Sequence, residues 1–316
     1  MSSDPKKIVV IGGGTGTYTV LSCLKNKEFD LAAVVSMCDD GGSTGRLRDS
    51  YGVLPAGDIR RSLIALAADE NKARDLFDYR FEEGELAGHN FGNIFLAAVE
   101  KVSGNFYDAV KTAGIILNID GRVHPVTLKN IRLYAELEDG STVSGETNID
   151  IPKHNPRLAI KRVFIKPEKS KANPDAISAI CNAHTIIIGP GDLYTSILPN
   201  FLVRGVANAV KKSKAKKIYI CNLMTKYGET NDFSVQNFVD EIEKYIGRDT
   251  INYILVNNKK PNADILSRYK KYNTQLVSLK DFKHSGLYTA DIICDGELVR
   301  HDKNKLSKIL VKLINA

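Results

Sequence analysis

The chain repeats one pattern in which a short apolar strand is followed by polar, glycine-rich residues and then by a helix-like stretch. Residues Lys7 to Ile11 are β-branched and apolar, and they lead through glycines into TYTVLSCLK, whose apolar spacing suits a helix. Similar continuous apolar runs are Leu31 to Met37, Thr185 to Gly189, Lys217 to Leu223 and Ile251 to Asn257. Runs without polar alternation are typical of parallel strands covered on both faces. The pattern predicts an α/β fold with a mostly parallel, doubly wound sheet.

One stretch interrupts this rhythm, at about residues 122–166. It contains VHPVTL, IRLYAEL and LAIKRVFI, with the turn signal EDGS between the second and third, and this predicts antiparallel strands joined by hairpins. A length of 316 residues allows two ordinary domains or one large α/β domain with an insertion. We interpret residues 1–316 as a single α/β domain with a small antiparallel β insertion.

Composition narrows the class of protein but does not choose a ligand. Hydrophobic residues are 43% and charged residues 26%, so the chain can form a core and is not disordered by composition. The net charge of +7 favours an anionic partner. The lysine-rich segment Lys211 to Lys217 has no interleaved aromatic residues, which argues for a solvated helix end and against nucleic-acid binding.

The cysteines and the apolar runs indicate the setting. The five cysteines are odd in number and form no C-x-x-C pair, so neither a disulfide framework nor a zinc cluster is indicated. No apolar run approaches the ~20 residues of a membrane span, and the first residues do not resemble a signal peptide. We therefore expect a cytoplasmic protein without an integral membrane segment.

The first glycine turn is a candidate phosphate site. Its residues Gly13, Gly14, Thr15 and Gly16 lie between a predicted strand and helix, where backbone amides can receive a phosphate or diphosphate. The turn departs from the G-x-G-x-x-G pattern of dinucleotide sites, since a threonine stands where the last glycine would be. A tight turn that serves only helix and strand packing is the alternative.

The second strand leads into CDDGGSTGRLR, which combines acids, hydroxyls and arginines at the predicted carboxyl edge of the sheet. We predict ligand contacts from Asp39, Ser43 and Arg46, because open α/β sheets bind ligands at this edge. Asp40 and Asp58 are the candidate metal ligands, and Mg²⁺ is the candidate cofactor, since it prefers carboxylate and phosphate oxygens. The alternatives are helix caps for the aspartates and a solvated position for the arginine.

Two further polar turns belong to the same prediction. GHNFGN contains His89 and Asn93, and His89 is either a phosphate donor or general acid, or a helix cap. GPGDLYTSILPN follows another apolar strand and supplies four candidate ligand contacts, Gly191, Asp192, Tyr194 and Thr195. If these turns converge at one edge of the sheet, they line one cleft.

The ordered motifs GGGTGT, DDGGSTGRLR, LPAGDIRRSL, GHNFGN, GPGDLYTSILPN, CNLMTKYGET and LVRHDKNKL resemble the CofD and YvcK superfamily. The last two motifs side with the YvcK-type gluconeogenesis factors. This resemblance covers the whole chain and implies a Rossmann-like fold, commonly a homodimer, with a nucleotide pocket. It adds Asn222, Tyr269 and Arg300 as candidate ligand contacts, the last resembling a UDP-sugar-binding arginine. From the residues alone, Arg300 could also be an exposed charge at a strand end.

The resemblance implies a regulator that binds a UDP-sugar, notably UDP-N-acetylglucosamine. Such proteins support peptidoglycan-precursor supply, cell shape and growth on gluconeogenic carbon sources, and a metabolic enzyme is an expected partner. The alternative is a Mg²⁺-dependent, CofD-like transferase acting on a nucleotide-activated substrate; catalytic residues for it are unknown. A third reading, an NAD-binding oxidoreductase with Asp39 on the ribose, is weakened by the missing glycine and by the lack of a hydride-transfer site.

Overall fold

The computed structural model describes residues 4–316, and its strands form two sheets. The seven strands of the larger sheet are β1 (Lys6–Gly12), β2 (Phe29–Val35), β3 (Arg122–Pro125), β7 (Thr185–Ile188), β8 (Lys216–Ile220), β9 (Tyr253–Asn257) and β10 (Leu287–Ala290). The smaller sheet contains β4 (Arg132–Leu137), β5 (Thr142–Ser144) and β6 (Ile160–Lys166).

Helices connect the strands and flank the larger sheet. They are α1 (Gly14–Leu24), α2 (Gly42–Tyr51), α3 (Gly57–Leu66), α4 (Glu70–Phe77), α5 (Phe91–Ser103), α6 (Phe106–Ile116), α7 (Glu146–Asp150), α8 (Pro174–Asn182), α9 (Leu198–Leu202), α10 (Val206–Lys212), α11 (Val235–Ile246), α12 (Ala263–Lys270) and α13 (Lys303–Asn315). A π-helical turn, Leu193–Ile197, leads into α9. Among residues 4–316, no helix is long and apolar enough to cross a membrane.

The larger sheet has the order β10-β9-β8-β7-β1-β2-β3, and every pair of neighbours is parallel. This confirms the predicted Rossmann-like α/β fold. From β1 the chain runs to β2 on one side, whereas β7 pairs with the other side of β1. The direction of winding therefore reverses between β1 and β7, and such a reversal opens a crevice at the carboxyl ends of the strands.

The predicted β insertion divides between the two sheets. Strands β4, β5 and β6 form the expected antiparallel sheet, starting at Arg132. The residues from Arg122 to Pro125 instead pair in parallel with β2 and form one edge of the larger sheet. Their sequence, RVHP, is too short and polar to resemble the buried parallel strands, which explains the difference.

The glycine turn after β1 is held against the turn after β7. Residues Ile8 to Ile11 are fully or almost fully buried, so β1 lies at the centre of the core. A Cβ atom at Gly16, in the first turn of α1, would overlap the carbonyl oxygen of Pro190. Only glycine lets the backbones of these two turns approach so closely.

We expect Gly16→Ala to lower the free energy of unfolding by about 1–3 kcal/mol, since the methyl group would force the two turns apart. Alanine is otherwise the better helix former, so any loss of stability can be attributed to the overlap of the new methyl group with Pro190. Urea denaturation measures it. Gly296→Ala is the control, because its Cβ would lie 3.9 Å from the Cys294 sulfur, an ordinary contact. Equal stability of Gly16→Ala and the unsubstituted protein would contradict the close approach.

Candidate functional site

A cavity of about 320 Å³ opens at the reversal point, beyond the carboxyl ends of the central strands. It combines the glycine turn after β1, the turn after β7, residues after β8 and a segment near the C-terminus. Its lining residues are Thr15, Gly16, Thr19, Pro190, Gly191, Asp192, Asn222, Leu223, Met224, Val299, Arg300 and His301. Six of the predicted ligand contacts, Thr15, Gly16, Gly191, Asp192, Asn222 and Arg300, thus lie around one cavity.

The N-terminus of α1 faces this cavity with backbone amides. The N-cap residue of α1 is Gly13, which has no side chain to cap the helix, and the first turn contains no acidic residue. The backbone N–H of Gly14, the first residue of α1, donates a hydrogen bond to the Asp58 carboxylate. The preceding residues Gly13 and Gly14 lie beside the Ser196 side chain and close to the turn after β7. The N-terminus of a helix attracts anions, because its backbone amides and its dipole both favour negative charge.

Two carboxylates lie behind the glycine turn, and they are Asp39 and Asp58. A Cβ atom at Gly13 would lie 2.6 Å from Asp58 Oδ2, and one at Gly57 would overlap Asp39 Oδ2. Burial raises the pKa of Asp58, and the negative charge of Asp39 raises it further. Arg61 partly offsets this effect from 3.5 Å. Two close carboxylates next to an anion site fit the oxygen-donor preference of Mg²⁺.

Asp40, the predicted partner of Asp58, has a different place. Its Oδ1 accepts a hydrogen bond from the Thr147 backbone N–H at 3.0 Å, and its Oδ2 accepts one from Glu146 N–H at 3.2 Å. It therefore caps α7 and ties the β insertion to the end of β2. The carboxylate that neighbours Asp58 is Asp39, which was predicted as a ligand contact. The alternative in which Asp39 or Asp40 caps the next helix does not hold, because the N-cap residue of α2 is Gly41 and Asp40 caps α7 instead. Asp58 is not an N-cap either, since it is the second residue of α3.

The first residue of α7 brings another carboxyl group to this region. Burial raises the pKa of Glu146 to about 9, and the charges of Asp39, Asp150, Asp58 and Asp40 add to the shift. The Glu146 side chain is therefore a neutral carboxylic acid at neutral pH. It can donate a proton or a hydrogen bond, whereas an ionised carboxylate can only accept one.

A second acidic group surrounds Lys226. Carboxylate oxygens of Asp150, Asp192 and Glu229 lie within 4.8 Å of one another. The Lys226 ammonium is hydrogen bonded to Asp150, lies 2.9 Å from Asp192 Oδ2 and lies 3.4 Å from Glu229 Oε1. It joins the β insertion to the turns after β7 and β8, at the position that a cation among three acids would take.

Arg300 reaches the cavity from a short hairpin, residues 292–302, which we call the C-terminal hairpin. The Cys294 N–H donates to the Arg300 carbonyl at 2.9 Å, and the Asp302 N–H donates to the Ile292 carbonyl at 2.9 Å. These bonds fix the Arg300 backbone, while its side chain is exposed. The hydroxyl of Tyr269 accepts the Val299 N–H at 3.0 Å, so this predicted contact supports the hairpin.

Four predicted residues form a separate group between α2 and the start of α5. Asn90 N–H donates to the Ser43 hydroxyl at 3.1 Å, and His89 Nδ1 lies 3.3 Å from the same oxygen. Arg46 donates to the Ala87 carbonyl, and the amide of Asn93 donates to Thr44 Oγ1. Asn93 is 3% exposed, and this hydrogen bond holds α5 to α2. None of these four residues lines the cavity described above.

Tyr194 and Thr195 also differ from their prediction as ligand contacts. They are 2% and 3% exposed, because the π-helical turn places them in the core. The Tyr194 backbone N–H and the Thr195 hydroxyl each donate to Glu229 at 3.3 Å. They fix Glu229, which in turn contacts Lys226.

Sequence reasoning missed several polar residues at this edge, namely Arg61, Glu146, Asp150, Lys226, Glu229 and His301. Lys226 and Glu229 lie inside the conspicuous CNLMTKYGET motif, and His301 follows Arg300, so proximity to motifs was an available signal. Glu146 and Asp150 belong to the insertion and have no such signal. Only the tertiary structure shows that α7 lies next to the end of β2.

Sequence and structural similarities identify the family of this chain. Residues 8–292 match the family described as 2-phospho-L-lactate transferase CofD. The chain is 41% identical over 323 residues to the gluconeogenesis factor of Bacillus subtilis, with 99% of each chain covered. The chain belongs to the CofD/YvcK family. The present chain is also 39% identical to the gluconeogenesis factor of Listeria innocua, and the match covers 99% of this chain and 98% of that relative.

The fold of this CofD/YvcK chain is also similar to a solved structure. A member of the upf0052 family from Bacillus halodurans superposes with a TM-score of 0.92 at 36% identity, covering 98% of this chain and 100% of that one. The similarity extends over the larger sheet and the β insertion alike. The family identification made from the sequence motifs is thereby confirmed.

We expect Glu146→Gln to stabilise the protein at pH 8 by about 1 kcal/mol or more, since each pKa unit corresponds to ~1.4 kcal/mol. The folded state keeps the Glu146 proton up to a pKa of about 9, whereas the unfolded chain loses it near 4.5. Unfolding is therefore favoured as the pH rises between these values. Thermal denaturation from pH 5 to 9 measures the effect. The control is Glu138→Gln, at an exposed site of the same insertion, which should show the same dependence of stability on pH as the unsubstituted protein. If Glu146→Gln also showed that dependence, the raised pKa of Glu146 would be contradicted.

Proposed function

We propose that this protein binds a UDP-sugar, with UDP-N-acetylglucosamine as the leading ligand, and acts as a regulator of carbon and peptidoglycan-precursor metabolism. The observation that supports it most is the juxtaposition of the N-terminus of α1 with the exposed side chain of Arg300 around one cavity. Amides and a guanidinium together suit a diphosphate, since Arg binds such groups through paired, charge-assisted hydrogen bonds.

Orphaned polar atoms at the cavity favour a ligand with hydrogen-bonding groups. The side-chain amide of Asn222 donates to the Gly191 carbonyl at 2.9 Å, while its Oδ1 is buried without a partner among residues 4–316. His301 Nε2 is likewise buried and lacks a partner among the described residues. Burial lowers the pKa of His301 to about 4, so its ring is neutral at neutral pH. Hydroxyl or amide donors of a nucleoside or sugar would satisfy both atoms.

A second cavity gives the ligand room beyond the diphosphate. It measures about 450 Å³, lies between the C-terminal hairpin and the start of α12, and shares Val299 with the first cavity. Its wall includes the side chains of Lys259 and Arg268. A nucleotide sugar with its diphosphate at α1 would extend one end into this space, which favours a ligand longer than inorganic diphosphate.

The regulatory part of the proposal draws on the gluconeogenesis factors among the relatives. In this role the protein is cytoplasmic, forms a homodimer and acts on a metabolic enzyme partner according to ligand occupancy. The functions in cell shape and in growth on gluconeogenic carbon sources belong to the same proposal. Binding without turnover is sufficient for each of them.

Arg300→Ala should weaken UDP-N-acetylglucosamine binding by about tenfold or more, because a hydrogen bond to a charged group is typically worth ~1.5–3 kcal/mol. Isothermal titration calorimetry measures the affinity. Arg248→Ala is the matched control, since Arg248 is also exposed but precedes β9, at the opposite edge of the sheet. Unchanged affinity in folded Arg300→Ala protein would refute the contact, and a stronger affinity for NAD would refute the ligand class.

A specific observation also favours a Mg²⁺-dependent transferase of the CofD kind as the second candidate. Asp39 and Asp58 lie together behind the glycine turn after β1, and these two carboxylates would hold the cation. When bound, Mg²⁺ would neutralise phosphate charge. Glu146, which holds a proton at neutral pH, is the candidate to protonate a leaving oxygen.

We expect Mg²⁺ to strengthen UDP-N-acetylglucosamine binding, and Asp39→Asn and Asp58→Asn each to abolish that enhancement. Removing one carboxylate should also relieve its repulsion of the other, so both variants should remain folded. Calorimetry with and without Mg²⁺ measures this, with Asp40→Asn as the control because Asp40 caps α7. Undiminished enhancement in both variants would remove the metal assignment and most of the case for transfer chemistry.

A further inference from the structure

One partly buried carboxylate connects the two parts of the proposed ligand site. Glu70, the first residue of α4, accepts a hydrogen bond from Tyr18 of α1 and one from Ser22 of α1 at 3.3 Å. The ammonium of Lys303, the first residue of α13, donates to it at 2.9 Å. Lys25, at the end of α1, lies 3.6 Å away with its side chain 7% exposed. Glu70 therefore holds α1, α4 and α13 together.

The electrostatics of Glu70 mark these contacts as strong. Burial raises the pKa of its carboxyl, but hydrogen bonds from Lys303 and Tyr18 outweigh burial and bring the pKa to about 2. The side chain of Glu70 is 19% exposed and that of Lys303 is 41% exposed, so solvent partly screens this ion pair. The Lys303 ammonium also lies 4.7 Å from the centre of the Tyr18 ring, a cation–π contact.

The position of Lys303 in the chain links these contacts to Arg300, the proposed ligand contact. Arg300 lies three residues before it, at the end of the C-terminal hairpin. The Arg300 carbonyl is held by Cys294 N–H, and Asp302 caps α13 by accepting from the Lys305 N–H at 2.8 Å. The segment from Arg300 to Lys303 is thus short, and both of its ends are fixed. At the other side of the cavity, α1 presents its amides and carries Tyr18.

We propose that the Glu70–Lys303 ion pair is a positioning device that holds Arg300 at a set distance from the amides of α1, and so sets the affinity for a diphosphate. This inference rests on the proposed function for its ligand. Lys303 is not among the residues that line the cavity and acts through Arg300. A guanidinium displaced by even a small distance loses the paired geometry on which diphosphate recognition depends.

The test uses Lys303→Met, which keeps an unbranched apolar stem against Tyr18 and removes the charge. Glu70 is left in place, since its loss would leave the buried Lys25 ammonium without its carboxylate. We expect Lys303→Met to weaken UDP-N-acetylglucosamine binding by about three- to tenfold, where tenfold corresponds to ~1.4 kcal/mol. Lys303→Arg should restore most of the affinity. The control is Lys72→Met, which removes an exposed ion pair with Asp69 at the start of α4, the helix that carries Glu70.

A double-mutant cycle separates positioning from general stability. In an Arg300→Ala background, Lys303→Met should cause no further loss of affinity, because the residue it positions is gone. An equal loss in both backgrounds would overturn the proposal. Full affinity of Lys303→Met, with only a lower melting temperature, would also overturn it and leave a structural role alone.

Hydrogen exchange supplies an arm that needs no ligand. The Cys294 amide, bonded to the Arg300 carbonyl, should exchange faster in ligand-free Lys303→Met than in the unsubstituted protein or in Lys72→Met. If the unsubstituted protein does not bind a UDP-sugar, the proposed function fails, and this measurement still decides whether Lys303 orders the hairpin. Unchanged exchange at Cys294 would refute the positioning role.

Discussion

The parallel pairing of β1 with β7 is the constraint on which the site depends. It places two glycine turns side by side, from parts of the chain about 175 residues apart by the pairing register, and α1 follows one of them directly. Gly16 and Pro190 then meet backbone to backbone, a contact that excludes any side chain. The free end of α1 is thereby exposed to the crevice at the reversal of winding. Without this contact, the amides, Asp192 and Arg300 would not share a cavity.

Charge at this edge of the sheet is the reverse of what the whole chain suggests. The chain has a net charge of +7, yet the carboxyl groups collect beyond the strand ends. The protein manages their repulsion in different ways: Glu146 keeps its proton, whereas Asp150, Asp192 and Glu229 share the ammonium of Lys226. The Asp39 and Asp58 pair is partly offset by Arg61, 3.5 Å from Asp58, and by the charge of Arg60, yet the pKa of Asp58 stays raised. That residual repulsion is a reason for a cation to bind there.

The sequence predicted the buried strands well and the edge strands poorly. Strands β1, β2, β7, β8 and β9 are continuous apolar runs because both of their faces are covered. The larger sheet ends in β3 on one side and β10 on the other. The sequence of β3 contains a histidine and a proline, and β10 has the partly exposed sequence LYTA. An edge strand pairs on one side only, and β10 is accordingly only partly buried. Three of the four residues of β3 are buried, but four residues are too few to show a pattern. The end of the parallel sheet at β3 was accordingly assigned to the antiparallel insertion.

What the sequence by itself determined is the family, the fold class and the residues whose chemistry stands out, such as the glycine turn and Arg300. The tertiary structure decided which side chains meet. Asp39 and Asp40 are adjacent and chemically identical, yet one lies against α3 beside Asp58 and the other caps α7. Neighbouring side chains on an extended backbone project in different directions, so a step of one residue changes the partner. Which direction leads to α3 and which to α7 depends on where the insertion packs, and local sequence does not contain that information.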